Sequence, residues 1–126
     1  MKSCVVTATY GCSANKIWLY LTNPVLNHWD PSVSEAEVDL DGMKIVTRNK
    51  DGSVTNIAFS DLEKPRRMSC TFNLGRIKGS VTAILLGSGD STSVECTLDV
   101  DGMGLFAKPQ KKLNEYLETL RKALGD

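Results

Sequence analysis

The chain has 126 residues, 41% hydrophobic and 24% charged, with 15 basic side chains balancing 15 acidic ones. A chain of this length buries enough surface to fold as one domain, residues 1–126, without a disulfide or metal staple. Zero net charge gives no electrostatic reason to bind nucleic acid or an anionic membrane, and no apolar run approaches the roughly 20 residues that span a bilayer.

Residues 3–10 are short and β-branched and predict a first strand that Gly11 stops. Ser13 is placed to cap a helix, because its hydroxyl accepts from a backbone N–H one turn on. Ala14, Ile17, Trp18 and Leu21 then recur at helical spacing. Thr22-Asn23-Pro24 breaks this helix, and Pro24 opens a second short one over 25–28, where proline is tolerated in the first turn. Pro31 ends that segment.

Six strands follow. In 34–40 the acids Glu35, Glu37 and Asp39 alternate with Ala36, Val38 and Leu40, the period of two that gives one wet and one dry face. Asp41-Gly42 favours a hairpin into 43–49, where Met43, Ile45 and Thr47 share a face. Asp51-Gly52 turns the chain into 54–61. Two registers stand there: Val54, Asn56 and Ala58 inward, or Thr55, Ile57 and Phe59, with the larger apolar area favouring the second. Strand 67–74 sets Met68, Cys70, Phe72 and Leu74 against polar partners. Strand 77–86 sets Val81, Ala83 and Leu85 inward, and strand 92–100 does so with Val94, Cys96, Leu98 and Val100. Short turns between successive strands imply an antiparallel meander with one covered face. The cover is the last segment, where Leu113, Tyr116, Leu117, Leu120 and Leu124 form one helical stripe that begins near Pro109 and stops at Gly125. Lys108, Lys111 and Lys112 share this helix with Glu115 and Glu118 and read as a solvated face.

The cysteines, Cys4, Cys12, Cys70 and Cys96, form no CxxC pair, and those within strands behave as small buried hydrophobes. With His28 the single histidine, no metal site and no cofactor is expected. Thr7 interrupts the N-terminal apolar run before a signal-peptide core develops, so a reducing cytoplasm is the expected location. No phosphate loop, GxSxG elbow or HExxH is present.

The order β–α–α–β6–α resembles the START/SRPBCC superfamily, which includes polyketide cyclase-like and birch-pollen-allergen-like proteins. The resemblance covers nearly the whole chain. It is carried by Cys12-Ser13-Ala14, Ile17-Trp18, Asn23-Pro24, His28-Trp29, the strand bearing Glu35 and Glu37, and the Asp101-Gly102-Met103-Gly104-Leu105-Phe106 approach to the last helix. It implies an α+β helix-grip fold, a seven-stranded curled antiparallel sheet wrapped around the long C-terminal helix. It also implies a cavity between sheet and helix that takes a lipid, a polyketide, an aromatic compound or another small apolar molecule.

The residues expected to line such a cavity are Trp29 near its mouth, Val38, Ile45, Ile57, Phe59, Cys70, Phe72, Val81 and Leu85 on the strands, and Leu113, Tyr116 and Leu117 on the helix. The same burial physics would also fill this interior as packed core, and only unfilled volume separates the two. His28 and Tyr116 are the candidates for handling protons in a cyclase- or dehydratase-like reaction. No partner to orient His28 is identifiable, so non-catalytic binding is the leading expectation. Val46, Ile84 and Leu86 on the wet face mark a candidate protein contact or homodimer face.

Overall fold

The computed structural model describes residues 2–23, 30–39, 43–104 and 108–125. One antiparallel sheet of seven strands has the spatial order β1-β7-β6-β5-β4-β3-β2. Its strands are β1 (Lys2–Tyr10), β2 (Val33–Val38), β3 (Lys44–Asn49), β4 (Val54–Glu63), β5 (Arg67–Leu74), β6 (Ile77–Ser88) and β7 (Ser91–Asp101). The last six form the expected meander, and β1 closes it by pairing with β7 from Lys2↔Val100 to Tyr10↔Thr92. The first and second strands therefore stand on opposite edges, so the chain that joins them has to pass from one edge of the sheet to the other.

Helix α1 (Ala14–Thr22) begins that crossing. Ser13 caps it, its hydroxyl accepting from the Lys16 N–H at 3.3 Å, and Ile17 and Trp18 are buried on its inner face. The predicted short helix at 25–28, the Asp41-Gly42 turn and the Leu105-Phe106 approach lie outside the described residues. Helix α2 (Pro109–Leu124) carries proline in its first turn and ends on Gly125 in the left-handed conformation at φ 78°, which glycine adopts without strain. Its predicted stripe is its buried face: Leu113, Leu117, Leu120 and Leu124 are all buried.

The alternation read from the sequence holds strand by strand. Val94, Cys96, Leu98 and Val100 are buried on β7, and Ala83 and Leu85 on β6. In β4 the second register is the one adopted: Phe59 is buried, Thr55 and Ile57 are half-buried, and Asn56 is exposed. Asn56 instead bonds Asn73 across the outer face at 3.4 Å. A bulge between Phe59 and Asp61 shifts the pairing with β5 and carries β4 on to Glu63, two residues past its predicted end. Bulges bend strands and increase twist, which suits a sheet that must curl. Gly79 serves the same curl. A Cβ there would run into the Asp99 carbonyl oxygen and come within 2.9 Å of the Phe72 ring, which lies over the gap glycine leaves.

The edge strand β2 keeps Glu35 and Glu37 exposed, and such charges discourage pairing with a stray strand. On the outer face Val46 and Ile84 are half-buried and Leu86 is 68% exposed. Among the described residues no helix is long and apolar enough to cross a membrane.

Candidate functional site

Between the concave face of the sheet and α2 lies a cavity of about 680 Å³. Its walls follow from period two. Each strand contributes alternate residues: Ile45, Thr47 and Asn49 from β3, Thr55, Ile57 and Phe59 from β4, Met68, Cys70, Phe72 and Leu74 from β5, Val81 and Ala83 from β6, and Cys96 from β7. Leu113, Tyr116 and Leu117 form the roof, and Tyr20 and Leu21 of α1 stand at one side.

Polarity changes along the β3–β4 hairpin. Ile45 pairs with Ile57, then Thr47 with Thr55, and then the Asn49 N–H donates to the Ser53 carbonyl at 2.9 Å. The apolar pair lies deep and the polar pairs lead to the turn. A second polar segment, Asp30 and Ser32, borders the cavity beside this turn, tied to it by the Lys50 N–H donating to the Ser32 carbonyl at 2.9 Å. Both segments use one device. Asp30 accepts from the N–H and hydroxyl of Ser32, and Asp51 accepts from those of Ser53. The hydroxyl and N–H of Ser53 hold the Asp51 carboxyl below the usual carboxylate range.

Nine of the predicted lining residues are thus on the cavity wall. Leu85 is not: it is buried at the closed end, opposite Val94. Two residues further on, the backbone at Gly87 meets Ala14 of α1 so closely that a Cβ would lie 3.1 Å from it. Tyr10, Ile17 and Val94, none of them measurably exposed, fill this end as packed core. Val38 is half-buried on the edge strand and packs on the core beside Ile45, without reaching the cavity. Trp29 and His28 lie outside the described residues. Thr47, Asn49, Thr55, Met68 and Cys96 also line the wall; alternation puts all but Asn49 on the inward face, yet the expected lining set left them out.

Tyr116 is half-buried and borders the cavity. Burial raises its pKa above the ordinary phenol range, with Cys96, Asp30, Cys70 and Tyr10 acting in the same direction. It is therefore a neutral donor at physiological pH. Burial likewise raises Cys70, and it pushes Cys96 from 9.0 up to about 11, with Cys70 and Glu95 adding to the rise. These are inert thiols, since the thiolate is the nucleophile. Among the described residues no group of His, Cys, Asp and Glu is arranged to hold a metal ion.

A pH dependence follows from the thiols. Cys96 keeps its proton in the folded protein after the unfolded chain has begun to lose it. Its contribution to stability is present below pH 9 and is lost as pH rises toward 11, roughly 2–3 kcal/mol in all. Urea unfolding at pH 8, 9, 10 and 11 should show this decline, and Cys96→Ala should make it shallower, the remainder coming from the other raised groups, Cys70, Tyr10 and Tyr116. A stability that is level across the range in the wild-type protein contradicts it.

No protein-family model matches the chain, and no curated protein matches it. Solved structures do. A START superfamily protein from Mycobacterium smegmatis matches at 20% identity over 97% of this chain and 93% of its own, with a TM-score of 0.73. The chain has the START-like helix-grip fold. XoxI from Bacillus cereus shares the grip at 15% identity, covering 100% of this chain and 97% of its own, with a TM-score of 0.75. DynU16, from the dynemicin biosynthetic locus, shares it at 16% identity and a TM-score of 0.75, over 99% of this chain and 48% of its own. In the grip described above, the cavity is the space between the sheet and the helix it curls around.

Proposed function

We propose that the protein binds a small hydrophobic or amphipathic molecule in the cavity between the sheet and α2. The observation that carries this reading is unfilled volume. A cavity of about 680 Å³ lies within the range of small-molecule sites, which pair mostly apolar walls with a few placed polar groups. The gradient along the β3–β4 hairpin supports an amphipathic occupant, its apolar body against Ile45, Ile57, Val81 and Leu117 and its polar end toward Asn49 and Thr55. The likeness to a START superfamily structure agrees with a ligand-binding fold.

The test is thermal unfolding against a panel of lipids, sterols and aromatic polyketides. A ligand that binds only the folded state at a hundred times its Kd stabilises it by about 2.7 kcal/mol. A clear rise in Tm with at least one compound is expected. No shift with any compound, together with no co-purifying small molecule by native mass spectrometry, contradicts the proposal.

A cyclase- or dehydratase-like reaction is the second reading, and one observation favours it: Tyr116 borders the cavity as a neutral phenol, able to donate a hydrogen bond or proton to a substrate carbonyl. Turnover that Tyr116→Phe abolishes while binding persists would mark this reading; turnover unaffected by the change would remove Tyr116 from it.

A further inference from the structure

The polar network on the cavity wall has a direction. The Asp51 carboxylate, held ionised, only accepts, so the Ser53 hydroxyl proton must point at it. Ser53 then has only acceptor capacity left for Asn49, which fixes the Asn49 amide with its nitrogen toward Ser53 at 3.0 Å. The other amide proton goes to the Thr55 hydroxyl oxygen at 3.1 Å. The amide oxygen faces the other way and accepts from the Thr47 hydroxyl at 3.4 Å. Every proton in the chain Thr47–Asn49–Ser53–Asp51 is thereby committed. Thr55 enters only as an acceptor, and its own hydroxyl proton meets no acceptor among the described residues. Thr55 borders the cavity and is half-buried.

We infer that Thr55 is the specificity-determining donor of this cavity, selecting ligands that present a neutral acceptor oxygen, such as a ketone or ester carbonyl, to the β3–β4 hairpin. This rests on the cavity being a ligand site. A carboxylate in the same place is disfavoured. One hydroxyl does not compensate a charge taken out of water, and the half-buried Asp30 borders the cavity there. Asp51 and Lys50 border it too, but both are exposed, so water screens their opposite charges alike.

Calorimetric titration with three probes of one shape tests this: 2-acetonaphthone, its carbon isostere 2-isopropenylnaphthalene, and 2-naphthoate. Thr55→Val removes the hydroxyl and keeps the β-branched shape, while Thr55→Ser keeps the hydroxyl. The affinity ratio of ketone to isostere should fall roughly fivefold on Thr55→Val and stay within about twofold on Thr55→Ser, as expected for one net hydrogen bond. A ratio unchanged by Thr55→Val, or one lost on Tyr116→Phe and kept on Thr55→Val, overturns the role of Thr55. Naphthoate binding more tightly than the ketone overturns the preference for a neutral acceptor. If the isostere binds well but the ratio is flat, the cavity stands and the donor does not. If neither neutral probe binds, the cavity reading falls and takes this inference with it.

Discussion

Tyr10→Ala should lower the unfolding free energy by about 3–5 kcal/mol, the usual cost of deleting a large buried aromatic. Tyr10 ends β1 with no measurable exposure, and its hydroxyl donates to the Leu117 carbonyl in the middle of α2 at 2.9 Å. The Arg121 guanidinium lies over its ring, 4.7 Å from the centroid, and also donates to the Thr9 carbonyl at 2.8 Å. One side chain therefore ties the first strand to the last helix through packing, a hydrogen bond and a cation–π contact. Tyr10→Phe keeps the ring and should lose only about 1 kcal/mol. Urea unfolding of the two variants separates the contributions, and an alanine variant within 1 kcal/mol of the phenylalanine variant would show that the ring is not a core anchor.

Val81→Trp should abolish binding while leaving the fold intact. Val81 sits on β6 between Cys70 of β5 and Leu98 of β7, half-buried because its side chain borders the cavity. An indole there has unfilled volume to enter, unlike a larger side chain at Leu85 or Val94, where close packing makes overfilling cost about 1–3 kcal/mol. Affinity for any ligand that stabilises the wild type should drop more than about tenfold, because the indole occupies the ligand's space. The Tm of the free protein should hold or rise as empty space is filled. Equal loss of Tm and affinity would mean the residue is ordinary core; unchanged affinity would place the ligand elsewhere.

Most of the architecture was legible because alternation and helical spacing are local signals with one cause, a single dry face per element. The stripe from Leu113 to Leu124, the cap at Ser13 and the inward set Met68, Cys70 and Phe72 all follow from it. The position of the boundary between filled core and cavity was not legible. Val81 and Leu85 share a strand face and the same apolar character, yet Val81 borders the cavity and Leu85 is sealed. The difference is α1, whose Ala14 closes on Gly87, and no spacing within β6 announces that contact. The polar wall was legible only in part. Alternation sets Thr47 beside Ile45 and Thr55 beside Ile57, but nothing local shows that Asn49 and the turn beyond it also border the cavity. Tyr10 went unnoticed because its partner, Leu117, is 107 residues away in sequence.

The most direct measurement is the set of intermolecular nuclear Overhauser effects between bound N-phenyl-1-naphthylamine, a neutral amphipathic probe, and the methyl groups of the protein. A ligand held between sheet and helix must give cross-peaks to Ile57, Val81, Leu113 and Leu117 at one-to-one stoichiometry. Cross-peaks confined to outer-face methyls such as Ile84 and Leu86, or no saturable binding at all, would contradict it.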